Sequence, residues 1–62
     1  MQVGDLVKHR YRSPEMVGVV MKLWTETLGQ NWAEKRYQMC KIYWNDHSVG
    51  FVRQKNVEVI DG

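Results

Sequence analysis

Cys40 is the only cysteine in a chain of 62 residues, and that narrows the choice of fold more than any other feature. No internal disulfide can close. The usual four-ligand zinc sites need more than one thiol beside the two scattered histidines, His9 and His47, so no metal or other cofactor is expected. A chain this short buries only about 60% of the surface its unfolded form exposes. Stability must then come from apolar packing within a single domain spanning residues 1–62, aided where possible by self-association. The lone thiol also fits a reducing compartment.

Hydrophobic residues make up 44% of the chain and charged residues 26%, which places it among globular rather than disordered sequences. No apolar run approaches the ~20 residues that cross a bilayer. The opening "MQVGDLV" lacks the basic-then-apolar pattern of a signal peptide. The expectation is a soluble cytoplasmic protein with no membrane partner. A net charge of +2 permits nucleic-acid binding without marking a dedicated binder.

Short β-rich runs alternate with turn residues along the whole sequence. Asp5–His9 reads as a first strand. "RYRSPE", residues 10–15, reads as a loop, because Ser13-Pro14 disfavours helix. Val17–Trp24, "VGVVMKLW", is rich in strand formers. It carries apolar groups on both faces, which implies either cover on both sides or a bulge near Gly18 that switches them. Residues 25–36, "TETLGQNWAEKR", contain Gly-Gln-Asn turn chemistry and read as a long hairpin loop with frayed strand extensions. The alternative is one helical turn capped by Asn31 with Glu34 three residues on.

Tyr37–Trp44 forms a third strand with Cys40, Ile42 and Trp44 on one face and Met39, Lys41 and Tyr43 on the other. "NDH", residues 45–47, is a tight turn. Val49–Arg53 and Val57–Ile60 supply the last two strands, joined by "QKN" as at most one 3-10 turn. Five short strands with exposed edges invite aggregation unless they curl together. The fold class expected is all-β, a five-stranded, partly open barrel.

The stretch "GFVRQKNVEVI" resembles the end of SH3 domains. There a glycine and two apolar residues precede a Pro-Ser-Asn-Tyr turn and a Val-Glu-apolar-Ile strand, in the same spacing. "VGDLVKHR" followed by "VGVVMKLW" resembles the opening of KOW-type and related SH3-like barrels, and "KIYWNDH" resembles the third-strand hairpin of small barrel proteins, including short tailed-phage proteins. The resemblance implies an SH3-like barrel and, through the phage likeness, a host-cytoplasm setting. It does not imply proline-rich ligands, because Arg53 and Asn56 stand where the peptide-binding domains carry Pro and Tyr.

Two surfaces follow from the residues. The seven aromatic side chains are a full share for so small a domain; Trp44 and Trp24 are expected in the core. Trp32, Tyr43 and Phe51 remain as outward anchors for a protein partner or for a second copy of the chain in a homo-oligomer. The basic loop offers Lys8, Arg10 and Arg12 for phosphates and Tyr11 for stacking on a base, and Lys22, Lys41 and Arg53 extend it if they share a side. The competing reading of that loop is a solvated segment whose charges pair with Asp5 and Glu15.

No catalytic residues, small-molecule substrate or cofactor are expected. The phosphate-cradling glycine patterns are absent, and a Cys–His pair would need Cys40 outside the core. Protein binding or self-assembly is ranked ahead of RNA or single-stranded DNA binding, because the aromatic content exceeds ordinary need and the positive charge does not.

Overall fold

The computed structural model describes residues 1–13, 15–29 and 34–61. Five strands form: β1 (Leu6–His9), β2 (Val17–Leu28), β3 (Lys35–Trp44), β4 (Val49–Arg53) and β5 (Val57–Asp61). A lone 3-10 turn, Gln54–Asn56, precedes β5. All pairings are antiparallel, in the order β4-β3-β2-β1-β5, and β4 does not pair with β5, so the sheet stays partly open. Among the described residues there is no α-helix. The all-β expectation holds, as do the bounds of β4 and the 3-10 turn.

Alternation decides which side chains meet. Val7, Val20, Cys40, Ile42, Trp44 and Val57 are buried, and Met16, Leu23 and Val52 pack against them. On β3 the buried set is the one expected, Cys40, Ile42 and Trp44. On β2 the face switches, three residues later than anticipated. The register slips between Val20 and Lys22, leaving Met21 as the extra residue of a bulge. Before it, Gly18 and Val20 face inward; after it, Leu23 does.

That slip overturns one expectation. Trp24 is not a core residue: it lies half-buried on the outer face, in register with Met39. Its indole Nε1 donates to Glu26 Oε2 at 2.9 Å.

The strand extensions expected around the hairpin loop of residues 25–36 are present, and they pair as a regular ladder instead of fraying. Thr25–Leu28 and Lys35–Arg36 continue the strands, with Glu26 opposite Tyr37 and Thr27 opposite Arg36. Two β-branched threonines and cross-strand partners on each face suit a ladder better than a loop. Gly29 ends the ascending strand at φ 110°, a left-handed conformation that suits glycine. The helical alternative centred on residues 31–36 falls partly outside the described residues, but its last two residues are strand.

The long β2–β3 hairpin therefore projects from the core as an arm. The molecule measures 40 × 21 × 18 Å, and its radius of gyration is 12.6 Å. A compact domain of this length would have a radius near 10.6 Å.

The opposite end is tied down by hydrogen bonds. Arg10 N donates to the Asn56 carbonyl at 2.8 Å, holding the β1–β2 loop against the 3-10 turn. Asn45 donates through its backbone to Val17 O and through Nδ2 to Glu15 O, fixing the β3–β4 turn to the start of β2. Within that turn His47 takes φ 69°. The Asp46 carboxyl accepts from the Ser48 hydroxyl and backbone N–H, and these bonds hold it below its ordinary pKa.

Candidate functional site

The open outer face of the sheet is the surface on which chemistry-bearing side chains gather. Register places Lys22 directly opposite Lys41, and Lys41 directly opposite Phe51. The next row toward the arm holds Trp24, Met39 and Arg53. Beyond it Tyr37 faces Glu26. Each of these positions alternates with an inward or opposite-face neighbour, so all project from the same side.

The rings and cations interlock. The Phe51 ring meets Trp24 edge-on with centroids 5.9 Å apart and planes at 73°. The Arg53 guanidinium lies over the Tyr37 ring, 4.3 Å from its centroid, and Lys22 Nζ stands 5.7 Å from that of Trp24. A planar, weakly hydrated guanidinium suits such stacking. Trp24, Glu26, Tyr37, Met39, Phe51 and Arg53 line a groove of about 370 Å³, in which the Glu26 carboxylate is held by the Trp24 indole. Around Arg53 a second hollow of about 290 Å³ adds Arg36 and Lys55.

Among the described residues the ion pairs are Lys8 with Glu58 at 3.9 Å and Arg36 with Glu34 at 3.4 Å. None involves Lys22, Lys41 or Arg53. Two lysines facing each other across a ladder are destabilising on their own. This is a local conflict that an anionic partner would relieve.

Of the expected aromatic anchors, Tyr43 and Phe51 project from the same outer face in adjacent rows. Phe51 is 63% exposed and joins Trp24. Tyr43 also points outward, but it pairs with Val49 on one side and Val19 on the other. Leu6 continues that row opposite Val19, and the Tyr43 hydroxyl shares a 3.0 Å hydrogen bond with His47 Nδ1. Trp32 lies outside the described residues.

The basic stretch runs from the end of β1 into the β1–β2 loop. Lys8 sits on β1 and meets Glu58 rather than Asp5 or Glu15. The Asp5 carboxyl instead accepts from Gln2 N, and Glu15 donates its N–H to Ser13 Oγ. Arg10, Tyr11 and Arg12 project from the β1–β2 loop, Tyr11 being 76% exposed with the His9 ring at 6.2 Å. Lys22, Lys41 and Arg53 do share a side, but the apolar row of Leu6, Val19 and Tyr43 separates them from Lys8.

No protein-family model, curated protein or solved structure matches this chain.

The arrangement must therefore be read from its chemistry. Cys40 is buried, its Sγ donating to the Val52 carbonyl at 3.5 Å, and burial pushes the thiol pKa up. That is the behaviour of a core residue. Among the described residues no three of His, Cys, Asp and Glu converge as metal ligands would. No described helix is long and apolar enough to cross a membrane. The outer face presents ring surfaces and cations side by side on one antiparallel ladder.

Proposed function

We propose that the chain is a small non-catalytic binding module of SH3-like kind, and that it takes single-stranded nucleic acid across the outer face of its sheet. The antiparallel strand order, the 3-10 turn before the last strand and the SH3-like closing sequence support the fold reading. The observation that carries the ligand reading is Lys22 facing Lys41, with Arg53 one row away and Trp24, Tyr37 and Phe51 interleaved. Cations at that spacing neutralise successive phosphates, while the rings accept unstacked bases, each base–aromatic contact adding roughly 1–3 kcal/mol. A duplex hides its base faces, so single strands fit this surface better.

This reading displaces the basic loop as the main contact. It also reverses the ranking drawn from composition: net charge hid the clustering of cations on one face.

Titration with a fluorescently labelled oligonucleotide tests it. Three neutralised phosphates give a log–log salt slope near −2, so affinity falls roughly twentyfold between about 50 and 200 mM salt. Lys41→Glu together with Arg53→Glu lowers affinity at least roughly tenfold. Absence of binding at low salt, or binding indifferent to both salt and the double substitution, contradicts the proposal.

A second reading rests on the separate apolar row of Leu6, Val19, Tyr43 and Val49, of which Val19, Tyr43 and Val49 are exposed. A protein partner docked there would be lost on Tyr43→Asp, with oligonucleotide binding retained.

A further inference from the structure

The β2–β3 arm leaves a stretch of β2 open at its edge. β1 pairs with β2 only at Val17, Gly18 and Val19, and the last bonds on that side join Val20 to Gly4 and Asp5. From Met21 onward, β2 has no strand beside it among the described residues. Unpaired N–H and C=O groups along an edge recruit another strand.

The other open edges are blunted. β4 and β5 have five residues each. The open part of β3, outside its pairing with β4, begins with Lys35 and Arg36, and edge cations repel a second strand. The open stretch of β2, "MKLWTETL", has no proline, no glycine and no net charge.

We infer that two copies of the chain pair antiparallel through the β2 edge, about a two-fold axis at Trp24, extending both sheets into one. This inference does not rest on the proposed ligand, although it engages Lys22 and Trp24 of the same outer face. Charge complementarity sets the register. With Trp24 facing the second copy's Trp24, Lys22 lies opposite the second copy's Glu26, and Glu26 opposite its Lys22. These residues share the outer face, so each meets its opposite charge and not an inward side chain.

The same register matches the length of open edge. Met21 faces the second copy's Thr27, and pairing stops before Val20, whose backbone groups are already bonded to Gly4 and Asp5. Moving the axis one residue toward the core sets Glu26 against that occupied Val20. Moving it one residue outward sets Lys22 against Leu28. The two-fold contact is isologous, so the assembly closes at two copies. Both outer faces then point the same way, and the cations Lys41 and Arg53 stay free of the contact.

Sedimentation velocity of the whole chain, without nucleic acid, tests the dimer over a range of concentrations. The expected result is a monomer–dimer equilibrium. Lys22→Glu places like charges at two symmetric positions and raises the dissociation constant roughly tenfold. Lys22→Glu with Glu26→Lys restores opposite charges and returns the dimer. Circular dichroism checks that each variant keeps its strand signal. A wild-type chain that stays monomeric to high micromolar concentration overturns the inference. So does a dimer that Lys22→Glu leaves unchanged, or one that the charge swap fails to restore.

Discussion

Trp44→Ala is expected to cost about 3–5 kcal/mol and to leave most of the chain unfolded under ordinary conditions. Trp44 is 3% exposed and is the largest of the buried side chains. Removing it opens a cavity that five smaller buried residues cannot fill. The His9 ring stands 6.2 Å from its ring and Gly50 makes room beside Nε1, while the Trp44 backbone N–H donates to Ser48 O at 2.8 Å. A single core in a domain of this length rarely supplies more than about 3–5 kcal/mol in total, so this one substitution matches the whole margin. Urea denaturation followed by circular dichroism measures it. An unchanged midpoint would mean that β3 does not turn Cys40, Ile42 and Trp44 inward.

Gly18→Ala is expected to be the most damaging single-methyl change, at about 3 kcal/mol, the upper part of the usual range for overpacking. Gly18 is buried in the β2–β3 ladder opposite Trp44. A Cβ there would run into the Ile42 side chain, and would stand 2.8 Å from the Tyr43 carbonyl and 2.9 Å from Trp44 Cε3. A backbone carbonyl fixed in a ladder cannot swing aside as a flexible side-chain tip can. The strand would have to separate locally, weakening the contact that seats Trp44. Thermal melting of the variant checks this, and a melting temperature equal to the wild type would contradict the close packing at Gly18.

The fold was legible where the sequence pattern is local. Alternation in "YQMCKIYW" assigns Cys40, Ile42 and Trp44 to the core, because a strand without irregularity keeps its period of two. Turn chemistry places the β3–β4 hairpin, where the Asp46 carboxyl accepts from the nearby Ser48 backbone N–H.

The outer face was not legible, and one residue explains much of this. The bulge at Met21 inverts the facing of everything after it, and no propensity marks Met21 as the extra residue. A strict period starting from Val20 sends Trp24 into the core; the observed register turns it outward beside Phe51. The length of the arm was hidden for a related reason. Gly29 and the polar run after it carry turn chemistry, but pairing across the strands decides how far each side stays extended. The signal for Tyr37 was present, since it shares the alternation of Met39, Lys41 and Tyr43. Its role emerges only with Arg53 of β4 stacked above it, a contact between residues far apart in the chain.

The claim that the outer face of the sheet is the binding surface is tested most directly by amide and indole NMR spectra recorded during titration with a short single-stranded oligonucleotide. Shifts are expected at Lys22, Met39, Lys41, Phe51 and Arg53 and at the Trp24 indole N–H, growing together to saturation. Shifts confined to Arg10, Tyr11 and Arg12, or none at all at low salt, would contradict it.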